Sequence, residues 1–171
     1  AKQLIDYIYH RYIFDFEEMT QFPKELRQWL SDNCVISLPT LITESVSPDG
    51  KTRKILVEMT DQSRVEAVLM EQHYGYSVCV SSQVGCAMGC VFCASTQGGL
   101  YRDLTVSEII GQVVIFGALT KEQIHSVVVM GAGEPLQNYD NVLQALQLLH
   151  DPVICNISYR KMTISTCGWV P

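Results

Sequence analysis

Apolar residues at the start of the chain recur at helical spacing and then switch to strand-like alternation, so the pattern predicts two kinds of architecture in succession. In KQLIDYIYHRY, Leu4 and Ile8 lie about one turn apart with Ile5 and Tyr12 beside them, which predicts an amphipathic helix. In QFPKELRQWLSDN, Pro23 suits a first helical position, and Leu26, Trp29 and Leu30 form a second packing face. From about Leu38 the period shortens. TLITESV and RKILVEM flank SPDGKT, whose Pro-Asp-Gly signals a turn, and DQS leads into RVEAVLM. A small antiparallel meander follows from this pattern.

Beyond the meander, strand and helix patterns alternate. YSVCVSS reads as a strand, and TVSEIIGQVVIFGAL as a helix opened by a capping box, Thr105-x-x-Glu108. SVVVM is a buried strand, NYDNVLQALQLLH a helix and RKMTIST a further strand. Repeated β–α units predict parallel strands joined by crossover helices. The expected organisation is α/β: an accessory domain over 1–71, with helices to 36 and the meander over 37–71, then a core over 72–171.

Charge changes this picture little. Twelve basic and 18 acidic residues give a net −6, which lends no support to nucleic-acid binding but leaves room for a local cationic channel. No segment approaches the ~18 uninterrupted apolar residues of a spanning helix. The opening AKQLIDYIYHRY is punctuated by charge, unlike a secretory signal. A soluble, cytoplasmic protein with no membrane partner is expected, trimmed from a longer one because its first residue is alanine. Seven cysteines, an odd count without an export signal, point to metal or redox chemistry over a disulfide framework.

The densest chemistry is VGCAMGCVFCAST, which spaces Cys86, Cys90 and Cys93 as C-x3-C-x2-C between backbone-freeing glycines Gly85 and Gly89. Three thiolates can hold three irons of a cubane cluster and leave the fourth open to a substrate. Zinc would want a fourth ligand, for which His73 and His125 are candidates, though neither stands beside a second cysteine pair. Reduced cysteines packed in a core are the third alternative, and fit a glycine-bearing loop poorly. In MGAGEPL, Gly131 and Gly133 allow a tight turn and Glu134 offers a carboxylate; a plain strand-to-helix turn explains this stretch equally well. It is not a dinucleotide G-x-G-x-x-G motif. On residue type alone, Cys79 reads as a strand thiol and Glu66 as a solvated strand glutamate.

C-x3-C-x2-C after a strand is similar to the signature of radical S-adenosylmethionine (SAM) enzymes. The longer stretches CVSSQVGCAMGCVFCASTQGGL, SEIIGQVV, VVVMGAGEPLQNYDNVLQAL and RKMTISTCGWVP resemble the RlmN-type enzymes. FEEMTQFPKELRQWL resembles that family's N-terminal helical domain, and SVSPDGKTRKILVEMTDQSRVEAVLM its following strands. The resemblance runs over essentially all 171 residues. It implies a helical plus β-meander N-terminal domain followed by the first half of a partial (β/α)6 barrel, truncated at Pro171.

The implied activity is methylation of carbon 2 of an adenine in 23S ribosomal RNA, and also in transfer RNA. The implied cofactors are a [4Fe-4S] cluster on Cys86, Cys90 and Cys93, and SAM contacted by Gly133, Glu134 and Ser165, with Glu134 facing the methionine ammonium. In that family one SAM methylates a cysteine near the C-terminus and a second yields a 5′-deoxyadenosyl radical. The resemblance then makes Cys79 the thiol that releases product through a transient disulfide, and Glu66 the proton acceptor. Cys167 stands where relatives carry serine, while Cys34 and Cys155 match no functional position. A flavodoxin or ferredoxin system is the implied electron donor. A half-barrel would expose a strand edge, so self-association or a bound partner is expected, together with inability to complete methylation alone. Competing readings are a carbon-8 adenine methyltransferase, an iron–sulfur electron carrier, and a zinc-stabilised structural domain.

Overall fold

Four strands formed by the middle of the chain zigzag into an antiparallel ribbon that two later strands extend in parallel. The computed structural model describes residues 1–169, so the expected end of the core at Pro171 lies outside the described residues. The ribbon is β1 (Thr40–Val46), β2 (Thr52–Glu58), β3 (Arg64–Gln72) and β4 (Gly75–Val80). β5 (Gln83–Gly85) and β6 (Leu100–Asp103) form a separate antiparallel hairpin. β7 (Ile124–Val129) then pairs in parallel with β4, and β8 (Met162–Ile164) in parallel with β7, giving the order β1-β2-β3-β4-β7-β8. The crossovers are helices: α3 (Val106–Thr120) precedes β7 and α4 (Tyr139–His150) precedes β8. This is the expected α/β arrangement, a mixed sheet built as part of a barrel. The β3–β4 ladder, from Val68 opposite Cys79 to Gln72 opposite Gly75, carries hydrogen bonding from meander to parallel strands without a break.

Strand alternation decides which face is covered. Ile55, Val57, Val65, Ala67, Leu69, Val78, Val80, Val127 and Val129 point to one side and pack with Ile109, Val113, Phe116, Leu146 and Leu149 of the helices. Each of the valine, isoleucine, leucine and phenylalanine side chains among these, fully buried, contributes about 1.5–3 kcal/mol relative to exposure. The intervening residues, including Glu66, Val68, Cys79 and Val128, face the side without helices. α3 is apolar on nearly all sides because it is enclosed: every residue from Ile109 to Gly117 is buried. Its predicted capping box is present, with Thr105 Oγ1 accepting from Glu108 N and Glu108 Oε2 accepting from Thr105 N at 2.8 Å.

The N-terminal helices depart from the periodic reading. α1 (Lys2–Tyr9) stops before Tyr12, which takes a left-handed φ of 55° and packs its ring on Gly117 of α3. The residue that anchors α1 is Tyr7, buried against Phe16 and Met19, its hydroxyl accepting from Gln21 N at 2.8 Å. In α2 (Lys24–Asn33) no residue is buried, and the expected packing face is corrected: Leu26 and Trp29 are exposed and only Leu30 joins the small N-terminal cluster. Pro23 is the N-cap and not the first helical residue. Helical spacing marks a face as apolar but does not supply a neighbour to cover it. No described helix is long and apolar enough to cross a membrane.

Where β4 ends, its ladder is continued by a side chain. The Gln112 amide on α3 is fully buried; its Oε1 accepts from Ser81 N at 2.9 Å and its Nε2 donates to Ser81 O at 3.1 Å. Gln112→Leu would leave both backbone groups unpaired in a dry site, so we expect a loss of about 1–3 kcal/mol in urea unfolding.

Candidate functional site

The three clustered cysteines sit at the tip of the β5–β6 hairpin, two strands the sequence pattern did not reveal. Cys86 N donates to Gly99 O at 3.0 Å, closing the base of the loop. Thr96 Oγ1 bridges it internally, donating to Cys86 O at 3.1 Å and accepting from Gly89 N at 2.8 Å. Cys86 is buried, Cys90 and Cys93 are half-buried, and all three are free thiols. Between the last two, Val91 and Phe92 project into solvent. Among the described residues no three His, Cys, Asp or Glu side chains are gathered in a ready metal site. His73 stacks edge-on against Tyr74, and His125 lies over Gly75 with its Nδ1 buried and without a hydrogen-bond partner.

Arg102 ties the hairpin to the rest of the chain. Its guanidinium donates to both Asp61 oxygens at 2.7 and 3.0 Å, to Glu108 Oε1 and Oε2 at 2.8 and 2.9 Å, and to Ser63 Oγ at 3.0 Å. One planar fork thus joins β6 to the β2–β3 turn and to the first turn of α3. Arg102 in turn holds the Asp61 carboxyl well below the usual carboxylate range.

The glycine–glutamate turn lies at the C-terminal end of β7, packed directly on the segment between β4 and β5. Gly133 has φ +105°, and a Cβ there would sit 2.6 Å from Gln83 Cβ and 2.7 Å from Ser82 Oγ. The turn therefore approaches protein too closely for any side chain. Glu134 is buried, yet both its oxygens are satisfied: Oε1 accepts from Thr166 Oγ1 at 2.6 Å and Leu136 N at 2.9 Å, and Oε2 from Cys167 N at 2.8 Å. Burial pushes its pKa up, but the hydrogen bonds from Thr166, Cys167 and Leu136 outweigh that and leave it below the ordinary carboxylate value. Ser165, just past β8, donates its backbone N–H to Val129 O at 3.2 Å. Gly133, Glu134 and Ser165 are thereby brought to the same ends of β7 and β8, where parallel α/β proteins receive ligands.

Cys79 and Glu66 share the helix-free face. Cys79 is opposite Val68 on β3, two residues beyond Glu66. Burial pushes the Cys79 thiol up, against a smaller opposing effect from the Met130 backbone, so it rests as the thiol. Glu66 is exposed and paired with Lys54 Nζ at 2.9 Å.

Several polar residues that organise this region carried no sequence-level signal. Gln83 Nε2 donates to Asp103 Oδ1 at 2.7 Å, and its Oε1 accepts from Glu134 N at 2.8 Å. Asn138 Nδ2 donates to Ser82 O and to Leu104 O, each at 2.7 Å. Ser81 Oγ accepts from Ala132 N at 2.9 Å and donates to Glu66 O at 2.8 Å.

Residues 80–171 match the family model described as the radical SAM superfamily, and residues 1–36 the model for a ribosomal RNA large subunit methyltransferase N-terminal domain. A Symbiobacterium thermophilum protein named "Probable dual-specificity RNA methyltransferase RlmN" is 50% identical over 173 aligned residues, covering 100% of this chain and 47% of the relative. A protein of the same name from Clostridium perfringens strain 13 is 47% identical, covering 100% of this chain and 49% of the relative. The chain thus spans about half the length of the curated relatives it matches. A crystal structure of a radical SAM methyltransferase from Sphaerobacter thermophilus superposes with a TM-score of 0.91 at 37% identity, over 99% of this chain and 51% of that one.

The depressed pKa of Glu134 has a pH consequence. Its clamp on Thr166 and Cys167 stabilises the fold above the unfolded carboxylate value of about 4.3, and is lost as pH falls through the lower folded value. Glu134→Gln, which cannot accept from all three donors, should lower stability by about 1.5–3 kcal/mol at neutral pH. The gap from wild type should shrink progressively below about pH 4.3 in urea melts.

Proposed function

The chain belongs to the radical SAM superfamily, and from that premise we propose that it carries the cluster-bearing and SAM-facing part of an RNA methyltransferase acting on carbon 2 of adenine. One observation supports this reading most: the hairpin bearing three free cysteines is hydrogen-bonded through Gln83 to the Gly133–Glu134 turn. A set of three soft sulfur donors on one glycine-bearing loop fits iron–sulfur ligation by Cys86, Cys90 and Cys93. When bound, a [4Fe-4S] cluster would supply the electron that cleaves the sulfonium of SAM.

The chain's own residues have separable tasks in this reading. Glu134 stays ionised at neutral pH and offers negative charge to the methionine ammonium, with Gly133 and Ser165 as its neighbours in the SAM site. Thr166 and Cys167 N occupy its oxygens and hold the carboxylate in a fixed direction. Cys79 is the resolving thiol and Glu66 the proton acceptor, both on the helix-free face where an adenine would be reached. Because burial keeps Cys79 protonated, a base must take its proton before the sulfur attacks as thiolate.

The names of the relatives support RNA as substrate. An adenine in 23S ribosomal RNA and in transfer RNA, a flavodoxin or ferredoxin electron donor, and a cytoplasmic setting belong to the same proposal. So does association with a second chain along the outer edge of β8.

Anaerobic reconstitution of the native protein with iron and sulfide should give an iron–sulfur absorption spectrum that changes on adding SAM. Replacing any one of Cys86, Cys90 and Cys93 by Ala should abolish it. With reductant and unmodified RNA, mass spectrometry of the nucleosides should find 2-methyladenosine when the full-length protein is used and none with residues 1–171 alone. A colourless zinc-loaded protein, or a cluster with a fourth ligand from its own side chains, would overturn the reading; 8-methyladenosine would overturn the regiochemistry.

A further inference from the structure

Ser81, Ser82 and Gln83 are fully buried polar residues immediately before the cysteine loop. Their backbone is spoken for. Ser82 N and Gln83 N both donate to Ala132 O, at 2.9 and 3.1 Å, and Ser82 O accepts from Leu104 N at 3.1 Å. What remains is the Gln83 side chain, which has one acceptor and one donor pointed at different elements. Its oxygen receives the backbone N–H of Glu134, and its nitrogen reaches Asp103 on β6, with Gln137 Oε1 at 3.5 Å.

From this geometry we infer that Gln83 is a positioning residue, setting the spacing and orientation of the Glu134 turn relative to the cysteine hairpin. The inference rests on the proposed SAM site and names a residue that acts on it through Glu134. Three features carry it. The side chain has no exposure, so water cannot replace either partner. Glutamine is the right length and polarity: an acceptor is required by Glu134 N, and a donor by the Asp103 carboxylate. Gly133, against Gln83 Cβ, keeps the turn seated at that distance. A shift at Gln83 would therefore move the backbone amide that ties Glu134 to the hairpin side, while the Arg102 clamp holds the hairpin in place.

The inference predicts a pattern among variants that a filler role would not produce. Gln83→Glu sets two carboxylates face to face without a donor. Combining Gln83→Glu with Asp103→Asn restores the complement, because the amide introduced on β6 can donate to the new carboxylate while that carboxylate still accepts from Glu134 N. Gln83→Leu keeps bulk and loses both bonds. Two readouts are measured: SAM affinity of the reconstituted native protein by equilibrium dialysis, and hydrogen–deuterium exchange of residues 131–136 in metal-free protein.

Gln83→Glu and Gln83→Leu should each weaken SAM binding by roughly tenfold or more and speed exchange in 131–136 by a similar factor. The paired variant should return both to within roughly threefold of wild type. If Gln83→Leu fails to fold, the single and paired glutamate variants decide the matter. Unchanged exchange and affinity in Gln83→Glu, or a paired variant no better than the single one, would overturn the inference. A wild-type protein that binds no SAM would instead overturn the functional reading, and the exchange pattern alone would then judge Gln83.

Discussion

The structure depends on how the chain leaves β4 inside a dry core. Strand pairing ends at Val80, but the next three residues stay buried, so their backbone groups and polar side chains must find partners other than water. The partners come from four places: Gln112 from α3, Ala132 and Glu134 from the turn after β7, Asp103 and Leu104 from the end of β6, Asn138 from the start of α4. Satisfying three residues thus gathers the connections that follow β4 and β7. Such a network rigidifies when complete and is costly when any member is missing.

That arrangement explains why the candidate site is built from connections and not from strands. The cysteines hang on a hairpin that belongs to neither crossover helix, and the hairpin is held by hydrogen bonds and the Arg102 ion pairs more than by apolar packing. Its tip is open: Val91 and Phe92 are almost wholly solvent-exposed. Glu134 shows the opposite balance, a carboxylate buried and kept ionised by three donors.

The sheet's two faces carry different side chains. Valine, isoleucine and leucine on the helix-covered side supply burial, while Cys79 and Glu66 stand on the other side, on adjacent strands. Period-two alternation is the reason a single strand can serve both, since a neighbouring residue always faces away.

Much of the architecture was legible before any coordinates. The Pro-Asp-Gly turn, the capping box at Thr105 and the β–α alternation are local signals, and the elements they announce are present because each depends on residues a few positions apart. The cysteine spacing was likewise a local fact, and the structure puts all three thiols on one loop. Tertiary structure alone decided three other things. It left Leu26 and Trp29 uncovered, since a helical stripe does not specify what lies opposite it. It made a hairpin of β5 and β6, strands too short to show a period. And it gave Gln83, Gln112, Asn138 and Arg102 their roles, because a hydrogen bond between residues 83 and 134 is a property of the packed chain that no spacing along it records.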